Sequence, residues 1–274
     1  MRLIVALLLA AAPAAGSAHS PWDTGELSHL PIWASQAVLL AAWLLYVPGA
    51  ARLRPSPGER AAFHGGMAVA GVALFGPFDD WATSSTAMHM VQHMLLMVVA
   101  APLWVLARPL PQWRAALGRA GDWWWFPLLR AGRHPMACAA LHAAAIWGWH
   151  LPGPYMAAVA NNWWHVAEHA SFALTAWLFW WAVLRARRGG ELRAALALLF
   201  TLMHTGLLGA VLTFAQAPLY YRESRELWDQ QLAGLAMWVP GGMAYLTAIA
   251  GCAYRWLARL QRGSRSTEAT SWPG

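Results

Sequence analysis

Seven apolar stretches, at about 31–49, 60–77, 84–107, 135–150, 162–184, 193–217 and 231–258, constrain this chain more than any other feature. Most are long enough to cross the hydrocarbon core of a bilayer, where no backbone group can stay unpaired, so each is expected to close its hydrogen bonds as a helix. The fourth is the shortest, and it spans only if its ends extend or the bilayer thins locally. Composition agrees: 11% of residues are charged, against about 25% in a soluble domain. The expected fold is all-α, a polytopic membrane bundle of seven transmembrane helices.

The charges lie in the short connectors, so the net charge of +7 reads as topology and not as a nucleic-acid surface. All 19 basic residues are arginine, which leaves no lysine for Schiff-base or general-base chemistry. One set of connectors and the C-terminal region hold 16 arginines, and the opposite set holds only Arg222 and Arg225. By the positive-inside bias, the mature N-terminus is outside and the C-terminus cytoplasmic, in a bacterial-type plasma membrane. Residues 1–18 carry Arg2, an apolar run and small residues Gly16 and Ala18, as a cleaved signal peptide does. Cleavage there makes His19 the first residue of a short exported segment, 19–30, with its amine and imidazole available to a metal. Residues 31–258 form the transmembrane domain, and the cytoplasmic tail 259–274, small and polar toward its end, is expected to be disordered. Cys138 and Cys252 sit in apolar runs without a CxxC partner and read as packing residues. Pro240, Gly241 and Gly242 are expected to kink the last helix.

Chemistry concentrates in Met88–Met97, MHMVQHMLLM. On an ideal helix His89 and His93 lie about 40° apart, with Met90 and Met97 close to the same face. Imidazole and thioether suit copper, and an ionisable group inside a membrane is a functional candidate by default. The competing reading is interhelical hydrogen bonding and packing filler. A second pair, His165 and His169, shares the spacing on the fifth segment, with Glu168 beside it and His150 at the same end of the fourth. Two facing His-x-x-x-His pairs make a four-coordinate site. Glu168 and Asp229 are candidates to orient an imidazole or to act as ligands. His142 and His204 lie deeper and read as lone bonding partners.

The strings HMVQHMLLMVVAAPLWVLARP, WGWHLPGPYMAAVANNWWHVAEHASF, LGAVLTFAQAPLYY and DQQLAGLAMWVPGG, in this order, resemble the successive signatures of the CtaG family of cytochrome c oxidase assembly factors, the multi-span type associated with caa3 oxidases. The resemblance implies a membrane protein, not an enzyme, needed to build haem-copper oxidase. His89, His93, His150, His165, Glu168, His169 and Asp229 match the family's polar motif positions. Copper handling, as Cu(I) held by outer-facing His and Met, is the expectation for mechanism. Partners would be oxidase subunits, an exported copper carrier and membrane lipid, with no nucleic acid. Four other readings share parts of the pattern. They are a copper transporter using the deeper histidines, a haem protein with axial histidines on two helices, a scaffold for oxidase subunits, and a zinc metallopeptidase from H-x-x-E-H at 165–169.

Overall fold

The computed structural model describes residues 30–118, 122–186, 189–220 and 226–270. All of the described secondary structure is helical: α1 (Leu30–Leu53), α2 (Pro57–Phe75), α3 (Pro77–Ala82), α4 (Thr86–Met94), a π-helical stretch (Leu95–Ala100), α5 (Ala101–Ala107), α6 (Leu110–Leu117), α7 (Asp122–Ala131), α8 (Pro135–His150), α9 (Pro152–Ala160), α10 (Asn162–Leu184), α11 (Glu191–Thr213) and α12 (Leu227–Thr270). Four helical runs are long and apolar enough to cross a membrane: Leu30–Leu53, Thr86–Ala107, Glu191–Thr213 and Leu227–Gln261. The expected segments at 60–77, 135–150 and 162–184 are present as α2, α8 and α10. The signal peptide and His19 lie outside the described residues.

Local sequence sets where the helices begin. Ser56 and Glu59 form a reciprocal capping box ahead of α2, with Pro57 in its first turn. The Asn161 side chain accepts from the amides of Trp163 and Trp164 and starts α10. Pro240, where a kink is expected, lies inside α12, a single continuous element. That helix also continues to Thr270, where a disordered tail was expected from residue 259. The extension prolongs an existing helix and so needs no new nucleus.

The helices close into a ring. α4 and α5 pack with α10 through α5 and the π stretch, α10 with α8, α8 with α11, α11 with α12, and α12 returns to α4. α2 lies outside on α5, and α1 on α6 and α10. The α11–α12 crossing is close, because a Cβ on Gly234 would stand 2.5 Å from the Gly209 carbonyl oxygen. Small residues let two membrane helices approach backbone to backbone in this way. One contiguous core includes Met90, Met97, Phe172, Phe179, Trp180 and Tyr245, and a second stacks Tyr46 on Phe63. Outward, Val38, Leu44, Leu207, Met203 and Leu246 are exposed. Such apolar exposure on several helices suits a hydrocarbon surround.

Polar groups divide between the two ends of the ring. At one end Glu59 approaches Arg108 to 3.8 Å, Arg259 pairs with Glu191 at 2.8 Å, and Arg185 donates to the Val105 carbonyl. The other end holds His89, His93, His150, His165 and His169.

Candidate metal centre

The helix that presents His89 and His93 is fixed at both ends by other helices. Ser85 caps α4, its hydroxyl accepting from Met88 N–H at 3.2 Å and donating to Asp229 Oδ1 at 2.6 Å. Asp229 also accepts from the backbone amides of Thr86 at 2.5 Å and Ala87 at 3.3 Å. A carboxylate at a helix N-terminus satisfies otherwise orphaned N–H groups and opposes the helix dipole favourably. Asp229, a candidate to steer an imidazole, therefore acts on the helix that carries the imidazoles.

Beyond Met94 the helix widens into the π turn, seen in the Ala101 N–H bonding Leu96 O, five residues back. The next bond of that pattern would join residue 102 to Met97 O, but Pro102 has no N–H. Trp180 Nε1 on α10 supplies the missing donor to Met97 O at 2.8 Å. The widened turn interrupts the 100° stepping that put Met97 on the histidine stripe. Met97 is fully buried in the core; Met90, ahead of the π turn, lies against His150.

The two histidine pairs meet. Ring centroids are 4.3 Å apart for His89 and His93, 4.4 Å for His165 and His169, and 5.0 Å for His93 and His169. Glu168 lies between, with Oε2 3.6 Å from His89 Nε2 and Oε1 3.8 Å from His93 Nε2. One ligand atom from each of His89, His93, Glu168 and His169 falls within 4.8 Å of all the others, and all four residues are buried. Ligand atoms about 2.0–2.1 Å from a tetrahedral ion are about 3.4 Å apart, so the two N···O separations need to contract by only a few tenths of an ångström.

Polar accounting points the same way. Both carboxylate oxygens of Glu168, both ring nitrogens of His93 and Nε2 of His169 are buried without a hydrogen-bond partner. Unpartnered buried donors and acceptors are costly, and a carboxylate more so. A cation bound among them would satisfy lone pairs from all three side chains. The residues present therefore fit a metal ion of borderline softness, for which imidazole with one carboxylate is a suitable donor set.

Around this core the remaining candidates take different places. His165 stands at the edge, 5.6 Å ring to ring from His89, and is partly exposed. His150 approaches His93 with ring centroids 6.3 Å apart. His142 bonds Thr175 Oγ1 at 2.9 Å deeper in the ring, an interhelical contact between α8 and α10. Cys138 and Cys252 are buried free thiols.

Sequence reasoning passed over three neighbours. Tyr155 lies 5.5 Å from His89 and stacks at 3.8 Å on Tyr220, whose hydroxyl donates to the His150 carbonyl at 3.1 Å. Gln92 donates to Ala73 O and to Asp79 Oδ1 at 2.8 and 3.0 Å, which ties α4 to α2 and α3. An amide inside an apolar run was a visible signal for Gln92; two tyrosines outside the runs gave none.

A lateral groove of about 560 Å³ reaches the centre between α1 and α10, with His165, His169 and Asp79 at one end and Trp104, Trp113 and Leu128 toward the other. No curated protein and no solved structure matches the chain. A family pattern does, and it covers residues 5–259, nearly the whole sequence including every histidine described above. The chain belongs to the cytochrome c oxidase caa3 assembly factor family, Caa3_CtaG.

Proposed function

We propose that this assembly factor is a seven-span plasma-membrane protein that takes up copper at its histidine centre and supports delivery to the oxidase, without catalysing a reaction of its own. The observation that carries the reading is the convergence of His89, His93, Glu168 and His169, four buried donors from two helices. The orientation is supported by the arginines of 52–60, 108–133, 185–193 and 255–265, which by the positive-inside bias favour the outer half of the bilayer for the centre. An exported carrier reaches that half, and His165 at the edge of the centre is the first imidazole such a carrier would meet. Copper is the cargo in this scheme. Residues of the centre hold it, and Tyr155 and Tyr220 cover the histidines from the side of α9.

Glu168 argues against the metallopeptidase alternative. A carboxylate that activates water for peptide cleavage must face substrate, whereas Glu168 is fully buried between two histidines of another helix. Purified protein loaded anaerobically with Cu(I) should hold copper that the His89→Ala, His93→Ala double variant loses, and cells with that variant should make copper-deficient oxidase. Normal copper binding and normal oxidase in the double variant would overturn the proposal. A haem absorption band lost with one histidine on each helix would replace it with a haem protein.

A further inference from the structure

Next to the four-donor cluster, one contact is not a normal hydrogen bond. His150 is held by Nδ1, 2.7 Å from the carbonyl oxygen of Ile146 one turn earlier in α8. A carbonyl only accepts, so Nδ1 carries the proton and Nε2 presents its lone pair. That lone pair faces Met90 Sδ at 3.2 Å. A thioether has no proton to give. Two electron-pair donors thus meet in the interior, His150 at 6% exposure and Met90 at 0%. Only a second proton on the imidazole, or a cation, gives both a partner.

The spacing suits a cation. With metal–nitrogen and metal–sulfur bonds of about 2.0 and 2.3 Å, atoms 3.2 Å apart subtend about 95° at one ion, within the range of a distorted tetrahedral site. Nitrogen with thioether is a softer pair than the imidazole–carboxylate set beside it, and such ligands select Cu(I). His93 adjoins both, with its ring 6.3 Å from His150 and its Nε2 3.8 Å from Glu168.

We propose that His150 Nε2 and Met90 Sδ form a second, soft metal position for Cu(I), adjoining the His89, His93, Glu168 and His169 cluster and distinct from it. The proposal rests on the reading that the cluster handles copper, and it adds that one centre offers two coordination settings of different hardness. His93 is the side chain shared by the two, so an ion passes between them without leaving the centre. No redox step is required, since Cu(I) itself occupies either setting.

The test uses the full chain in detergent or nanodiscs, with Cu(I) and Zn(II) as separate probes. X-ray absorption of the Cu(I) form should show one sulfur neighbour at about 2.3 Å. Met90→Leu, which conserves volume, should remove that sulfur and weaken Cu(I) by about 10- to 100-fold, a loss typical of a disturbed metal site. Zn(II) stoichiometry and affinity should stay unchanged, which also reports that the variant is folded. His150→Gln should weaken Cu(I) in the same way. Cu(I) without sulfur in the wild type, or unchanged Cu(I) affinity in Met90→Leu, overturns the second position while leaving the four-donor reading intact. Sulfur-ligated Cu(I) that persists in the His89→Ala, His93→Ala variant supports the second position and overturns the cluster as the copper holder. If the wild type binds neither ion, both fall.

Discussion

Replacing Asp229 with alanine tests the idea that the metal centre depends on a helix cap supplied from the far end of the chain. The carboxylate takes the Ser85 hydroxyl and the Thr86 and Ala87 amides. Loss of a capping side chain costs about 1 kcal/mol, and a buried N–H left without an acceptor costs about 1–3 kcal/mol. Thr86 is fully buried, so water does not replace the lost acceptor. The first turn of α4 is therefore destabilised by about 3 kcal/mol, which corresponds to about 100-fold in the population of the ordered turn. His89 lies three residues from Thr86, so metal affinity falls by up to the same factor although Asp229 touches no ligand atom. Asp229→Asn keeps one acceptor oxygen and should fall between the two. The assay is metal competition beside amide hydrogen exchange over residues 86–89. Wild-type affinity and protection in Asp229→Ala would refute the reasoning. Lost affinity with unchanged protection would show that Asp229 acts on the metal directly and not through the helix.

Three further outcomes follow from the same structure. Glu168→Gln should lose metal yet raise the melting temperature of the metal-free protein, because a neutral amide replaces a buried carboxylate that has no hydrogen-bond partner; a lower melting temperature with metal affinity retained would contradict both halves. Gly234→Ala places a Cβ 2.5 Å from the Gly209 carbonyl oxygen and should destabilise the α11–α12 crossing by about 1–3 kcal/mol, read by denaturant unfolding in detergent. Asp79, in the short helix α3 ahead of α4, is raised by burial from 3.8 to about 7, with the Gln92 hydrogen bond opposing the shift and Asp80 adding to it. Its folded value lies above the unfolded one, so the protonated group's contribution to stability is full below about pH 4 and disappears as pH rises through about 7. Asp79→Asn should flatten the pH dependence of unfolding over that window.

The part of the site written most plainly in the sequence was the part repeated on a single helix. Four-residue spacing put His89 with His93 and His165 with His169 whatever the bundle looked like, and topology put both pairs at one depth, but nothing in one sequence says that the pairs face each other. Partnerships across the ring were less legible. Glu168 could be named as a candidate, but its position between two histidines of α4 depends on how α10 packs against the π stretch and α5. Met97 shows a different limit. Its place on the stripe assumed uniform α-helical stepping, and the π turn reflects a combination of Pro102 and Trp180, 78 residues apart in number, that no local window contains. Asp229 was flagged for its charge in an apolar setting, yet its target was a set of backbone amides, and backbone has no sequence signature. The helical continuation to Thr270 is not legible in residues 263–270, where Gly, Ser and Thr outnumber the strong helix formers.

The cap on α4 also sets a clock on biogenesis. Ser85 and Asp229 are separated by 144 positions, so the helix bearing the first histidine pair leaves the ribosome well before the residue that fixes its end. At typical synthesis rates the interval is about 7–30 s. During that time both histidine pairs can already be in the membrane while the turn beneath His89 is still unanchored. The histidine cluster of a nascent chain is therefore fully anchored only when its last helix docks, and truncated or stalled products lack the Asp229 cap on α4.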